Sequence, residues 1–267
     1  MSRAMIFGGL LALVTSAASA ADIRPPAPSL DSYHLRGRFE LETVAYVRAD
    51  ASLGWLGARN PASTFSSNVS DFRFESTQFN HAPVTGLGVG YQLNGFFRAD
   101  LTVEQRGAAR YKASASYVDA ANCGAARCSD AYVGAIRSTL VMANAYGEIG
   151  SWFDVTPFVG LGLGLARNAF DPVSLPAGNG HSAGQSAGAT QMRFAFALMA
   201  GLAYELTPQI KVETSYRYLN LGVGQSGPIT CATAAGACAG QTQRIGLAAH
   251  DLRVGLRYAL SDGSSRD

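Results

Sequence analysis

Charge is what this sequence has least of. Asp, Glu, Lys and Arg make up 15% of its 267 residues, against about 25% in an ordinary soluble domain. Neither sign dominates, since 21 basic and 19 acidic residues leave a net charge of +2. That balance excludes the strongly basic face on which nucleic-acid binders depend. Long apolar runs are missing too. Beyond the first twenty residues no stretch approaches the roughly 18 apolar residues of a spanning helix, so a bundle of membrane helices is excluded. Yet hydrophobic residues reach 48%, too many for a disordered chain. What remains is an all-β protein, soluble or embedded in a membrane.

Histidine and cysteine are equally sparse, at four residues each. Cys123 and Cys128 form a C-x4-C pair, and Cys231 and Cys238 a C-x6-C pair, with no histidine beside either. Zinc sites place paired ligands in C-x2-4-C and add two more, so two local disulfides in an oxidising compartment are the expectation. Export agrees with that. Residues 1–20 have the form of a secretory signal: Arg3 in the n-region, an apolar stretch over 6–14, and Ala18-Ser19-Ala20 as a small-x-small cleavage site. The mature chain is expected to begin near Ala21, with a Pro-rich segment over 21–32.

The rest is a series of alternating stretches. Over 33–41, Leu35, Phe39 and Leu41 share one face, while Arg36, Arg38 and Glu40 share the other. Alternation of this kind marks a strand with one apolar and one polar side. Segments 84–93 and 96–106 flank Asn94-Gly95, a preferred type I′ hairpin pair. Segments 137–149 and 155–168 follow, then 193–206 and 210–219 joined through Thr207-Pro208, and finally 244–260. Eight strands result. Connections after the second, fourth and sixth are two to five residues long, whereas the others run to about 35, 17, 25 and 22 and contain all four cysteines. Short periplasmic turns with longer extracellular loops are the pattern of outer-membrane barrels. The expected fold is all-β: an eight-stranded antiparallel up-and-down transmembrane β-barrel over 33–260, with a periplasmic tail over 261–267.

Alternation alone does not say which face is inside. Glycine helps, since Gly86, Gly88, Gly90, Gly160, Gly162 and Gly164 lie on the face whose parity elsewhere is charged. Exposed glycine triplets would weaken a strand for no gain, whereas inside a narrow barrel they make room for long side chains from the opposite wall. The expected lumen network is Arg36, Arg38, Arg98, Arg106, Lys211, Arg217, Arg253 and Arg257 against Glu40, Asp100, Glu104, Glu148, Glu205, Glu213 and Asp251. Mutually paired charges are tolerated in such an interior where isolated ones are not. Tyr91, Phe96, Phe97, Trp152, Phe153 and Tyr204 sit beside the short turns, where an interfacial girdle belongs.

The segments 33–38, 86–100 and 144–148 resemble the Omp25/Omp31-like small outer-membrane β-barrel surface proteins of α-proteobacteria, of the OmpA-like transmembrane barrel superfamily. The resemblance covers about residues 30–260. The stretch 253–260 is similar to the family's barrel-assembly signal, with Gly255 and Tyr258 at its glycine and aromatic positions. Leu260 stands where the terminal aromatic is usual, and seven polar residues trail behind it. The resemblance implies residence in the outer membrane of a Gram-negative bacterium with both termini periplasmic. It also implies contact with outer-membrane lipids and lipopolysaccharide, and delivery by the barrel-assembly machinery.

The expected role is structural or surface-interacting, with the lumen plugged, no cofactor, no metal and no enzymatic activity. Three alternatives stay open at this point. Loops could bind haem, or host or phage surface ligands, with His81, His181, Trp55 and Phe65 as candidates. A lipid A-modifying barrel enzyme would need a His/Ser/acid set that parity does not assemble around His250. A small porin would need an open lumen.

Overall fold

The computed structural model describes residues 44–64, 69–177, 183–231 and 240–260. All of them belong to the compact unit Glu40–Asp267. The expectations for both terminal segments, and for Arg36, Arg38 and Glu40, lie outside the described residues.

One antiparallel sheet accounts for the described strands. In chain order they are β1 (Val44–Ser63), β2 (Ser70–Phe79), β3 (His81–Gln92), β4 (Phe97–Val118), β5 (Cys128–Glu148), β6 (Val155–Phe170), β7 (Ser174–Leu175), β8 (Gly184–Ser186), β9 (Ala189–Thr207), β10 (Ile210–Gln225), β11 (Ile229–Cys231) and β12 (Gln243–Leu260). A single turn of helix, α1 (Ala120–Cys123), precedes β5. Eight strands close a ring: β1, β3, β4, β5, β6, β9, β10 and β12, with β12 paired back onto β1. β2 continues the line of β3 along β4, interrupted at Asn80, whose backbone N–H donates to the Arg110 carbonyl at 2.9 Å. Closure leaves the ring with no free edge, the condition that hydrocarbon imposes on any sheet crossing it.

Register keeps parity constant around the wall. Arg257 of β12 stands between Arg48 of β1 and Lys211 of β10, and its neighbour Leu256 between Ala49 and Val212. The outward row of β6 is Val155, Pro157, Val159, Leu161, Leu163 and Leu165, and the leucines in it are half exposed or more. At about 3.3 Å per residue and a tilt of about 40°, that run climbs roughly 25 Å, the height of the apolar band on an outer-membrane barrel. At its lower edge the exposed aromatics Tyr91, Phe96, Phe97, Trp152, Phe153 and Tyr204 gather by the short turns.

Above the band the wall turns inside out. On β4 the outward row passes from Phe97, Leu101 and Val103 to Gln105, Arg110 and Lys112, while the inward row passes from Arg98, Asp100, Glu104 and Arg106 to Ala109, Tyr111 and Ala113. β12 repeats it: inward Arg257, Arg253 and Asp251 give way to Ala249, Leu247 and Ile245, and outward Leu252 to Arg244. Water outside favours apolar residues inside, as in any soluble barrel, so the exchange marks the level at which the outer surface passes from apolar to polar. Register shifts at 106/109, 220/222 and 59/62 lie at this level, as bulges commonly do at barrel rims.

Two expectations are corrected. The long connections are not mainly loop: β4 runs on to Val118, β5 starts at Cys128, β10 continues to Gln225, and β2, β7, β8 and β11 lie within segments expected to be irregular. Extending the ladder pairs backbone groups that a loop would leave to water. The Asn94-Gly95 turn is not type I′, because neither residue has positive φ. Instead the Asn94 side-chain oxygen accepts from the N–H groups of Phe96 and Phe97, both at 2.8 Å, and the Leu93 N–H donates to the Phe97 carbonyl.

Candidate functional site

The interior at the height of the apolar band is an ion network. Arg48, Arg98, Arg106, Arg217, Arg253 and Arg257 face Asp50, Asp100, Glu104, Glu148, Glu213 and Asp251, six of each sign, and all twelve are buried. Toward the band's upper edge, Arg217 donates to both oxygens of Glu104 at 2.8 and 2.7 Å, and also to Asp251 at 2.7 Å. Arg106 donates through Nη2 to both Asp251 oxygens, at 2.9 and 2.8 Å. Nearer the turns, Arg98 and Arg257 share Glu148 and Glu213, and Arg48 joins Asp50 to Asp100. Arg253 links the layers, 3.1 Å from Asp50 and 3.2 Å from Glu104.

Uncharged side chains complete the packing. The Arg98 guanidinium lies 3.7 Å from the Tyr146 ring centroid and 4.9 Å from that of Phe158. Asn144 donates to Asp100 at 2.8 Å and to Thr102 at 3.1 Å. Glycine makes the space. A Cβ on Gly86 would stand 2.9 Å from the Glu104 side chain, and one on Gly54 would strike Arg106 and Asp251. Desolvating each ion costs several kcal/mol, so an interior of this kind is tolerable only where every charge has an opposite neighbour.

Most of the residues expected in the lumen are brought together here: Arg98, Asp100, Glu104, Arg106, Glu148, Glu213, Arg217, Asp251, Arg253 and Arg257. Lys211 and Glu205 are not. They pair with each other at 3.0 Å, partly exposed at the turn end, because Lys211 begins its strand at the lip of the lumen. Arg48, Asp50, Tyr46 and Asn144 were missed. The signal existed for β1, where Tyr46, Arg48 and Asp50 carry on the parity of Arg36, Arg38 and Glu40 ten residues further along.

Beyond the boundary the interior is apolar. Leu56, Ile136, Leu221 and Leu247 of the wall form one buried cluster with Val173, Leu175 and Ile229, which the inter-strand segments carry inward. At the tip, Cys123 and Cys128 form a disulfide. Cys238 of the second pair lies outside the described residues. Tyr117 and Tyr132 both donate to Asp130, at 3.3 and 3.0 Å. Burial, followed by the Asp130 charge, raises both phenols above their ordinary value. Asp71 accepts from Arg127 and Arg73 on the surface, and these bonds hold its carboxyl below the usual range.

The expected ligand residues separate. Trp55 and His81 are strand residues paired across β1 and β3, and not loop residues. His250 pairs with Trp55 from the other side and accepts from, or donates to, the Tyr216 hydroxyl at 2.5 Å. All three side chains point outward at the upper edge of the band. Phe65 and His181 lie outside the described residues. Within the assembly-signal stretch, Gly255 faces Asp50 in the interior, while Tyr258 and Leu260 are exposed on the outer face.

The family model described as outer membrane protein beta-barrel domain matches residues 9–259. Uncharacterized proteins of Brucella suis and Brucella abortus are 30% identical, over 96% of this chain and 96% of their own length. The outer membrane protein PagN of Salmonella typhimurium is 30% identical over 33% of this chain and 36% of its own. Among solved structures, Neisserial surface protein A covers 81% of this chain and 97% of its own at 16% identity and a TM-score of 0.45. OprG of Pseudomonas aeruginosa covers 81% and 96% at 12% identity and 0.47. The chain belongs to the outer-membrane β-barrel protein family and is a protein of the Gram-negative outer membrane.

Proposed function

We propose that the chain is an eight-stranded transmembrane barrel whose lumen is closed, serving the envelope as a structural and surface-interacting protein and not as a pore or an enzyme. The observation that carries this reading is the interior: twelve paired charges at membrane height, then an apolar cluster above them. No water-filled path follows from such packing. The short turns would face the periplasm, with the signal peptide removed near Ala21 and both termini on that side. The strand-rich end, with its disulfide and its Asp71–Arg127 contacts, would stand at the cell surface, where host or phage ligands could meet it. Gly255, Tyr258 and Leu260 would be read by the barrel-assembly machinery, which also favours the periplasmic placement of the C-terminus.

Reconstitution into planar bilayers tests the closed lumen. The expected record is a flat baseline, and stable large-conductance steps would refute it. Mass spectrometry of lipid A from cells with and without the protein tests the non-enzymatic part, for which identical spectra are expected.

A further inference from the structure

Outward-facing cations collect at one level of the wall. Arg59, Arg110, Lys112, Arg137, Arg167 and Arg244 are all exposed just above the apolar band. Most have no carboxylate at ion-pair distance among the described residues, and Arg137 is neutralised by Asp171 at 2.6 Å. Arg59 and Arg244 are different. They line the same external groove of about 340 Å³, which runs between β1, β12 and β10 with Asn60 and Asn220 in its walls. The register shifts at 59/62 and 220/222 open it, and Gly246 keeps its floor low, since a Cβ there would lie 2.9 Å from the Arg59 carbonyl.

Neither arginine has a carboxylate within ion-pair distance among the described residues. Arg59 donates to the Tyr218 hydroxyl at 3.0 Å, and Arg193 reaches the groove wall by donating to the Val223 carbonyl at 2.6 Å. Directly below lie Trp55, His250, Tyr216 and Tyr218, then Leu252 and Val254 of the apolar band. The surface is thus amphipathic along the membrane normal: guanidinium groups with donors left over for an anion, an interfacial aromatic shelf, then hydrocarbon.

We propose that this groove binds a phosphate of an outer-leaflet phosphorylated glycolipid, with Arg59 and Arg244 holding the anion and the acyl chains lying along Tyr216, Leu252 and Val254. The assignment rests on the reading of the strand-rich end as the cell surface. Charge complementarity and the height of the groove select this occupant: a cationic recess at the top of the hydrocarbon band meets lipid headgroups before any soluble anion.

Trp55 supplies the reporter. In a Trp152→Phe background it is the only remaining tryptophan, and it sits under the groove. The full-length protein in detergent micelles is titrated with bisphosphorylated lipid A, with the same lipid after removal of its phosphates, and with inorganic phosphate. Saturable Trp55 fluorescence changes are expected for the phosphorylated lipid, about 10-fold or more tighter than for the dephosphorylated one. Arg59→Gln/Arg244→Gln should abolish that preference, Arg244→Gln alone should reduce it, and Arg110→Gln/Lys112→Gln should keep it. An unchanged preference in the Arg59/Arg244 double variant overturns the proposal. Equal occupancy by inorganic phosphate overturns the lipid as its source. Heat-dependent electrophoretic mobility is read on every sample. Its absence in the parent protein would refute the barrel reading, and so separates that failure from failure of the groove.

Discussion

Removing the Arg217 side chain tests the lumen network at its most connected point. The guanidinium is 1% exposed and holds Glu104 through two bonds and Asp251 through two more. Arg217→Ala leaves Glu104 with Arg253 at 3.2 Å, and Asp251 with Arg106, so neither carboxylate is abandoned but one positive charge is missing among buried anions. Breaking a buried pair from one side costs about 3–5 kcal/mol. With a urea slope of about 2 kcal/mol/M, the unfolding midpoint should fall by roughly 2 M. Urea titration in micelles, followed by tryptophan fluorescence, reads the shift. Arg217→Ala/Glu104→Gln should recover part of the loss by restoring the balance of charge. The comparison is Arg137→Ala, which removes an exposed pair worth at most about 1 kcal/mol. If Arg217→Ala moved the midpoint no further than Arg137→Ala, the network would be a decoration of the lumen and the reasoning would fail.

Other predictions concern the boundary and the tip. Leu161→Arg, in the middle of the outward row of β6, should cost about 2–4 kcal/mol in lipid, while Ala169→Arg, above Arg167, should cost about 1 kcal/mol or less; equal costs in vesicle refolding would misplace the band. Leu247→Ala removes a buried side chain from the apolar interior and should cost about 2–5 kcal/mol, measured by urea unfolding; a change under 0.5 kcal/mol would mean that this part of the lumen is hydrated. Asp71 has its folded value below the ordinary 3.8, so its bonds to Arg73 and Arg127 stabilise the tip fully above pH 3.8 and are lost as pH falls through the lower folded value. A carboxyl carbon NMR titration with its midpoint at or above 3.8 would contradict those contacts.

Much of the wall was legible because a strand has a period of two and a narrow barrel repeats it on every side. Leu161, Leu163 and Leu165 against Gly160, Gly162 and Gly164 already determine which face meets lipid. The strand ends were not legible, for a physical reason. Past the boundary both solvents change places, so Tyr111, Ala113 and Ala115 turn inward while Lys112, Ser114 and Ser116 turn outward. Alternation persists there with its meaning reversed, and small residues such as Ala113 and Ser114 give little contrast, so strand looked like loop. Bulges at 106/109 and 220/222 also shift the phase. The Asn94 turn misled for a local reason: Asn-Gly suits a two-residue turn, but the Asn94 side chain caps a wider one through Phe96 and Phe97. Lys211 and Glu205 had the correct parity and the wrong depth, which alternation does not encode.

The inversion itself is open to one direct measurement. Single spin labels are placed at 159, 161, 163, 165, 167 and 169 of β6, with the native cysteines replaced by serine, and the protein is reconstituted in lipid vesicles. Collision with oxygen, which concentrates in hydrocarbon, and with a water-soluble nickel chelate is then compared at each site. The account predicts oxygen-dominated labels from 159 to 165 and a switch to the chelate at 167 and 169. Chelate access along the whole row would make this a water-soluble barrel. Oxygen dominance through 169 would place the boundary, and the girdle of arginines above it, at the wrong height.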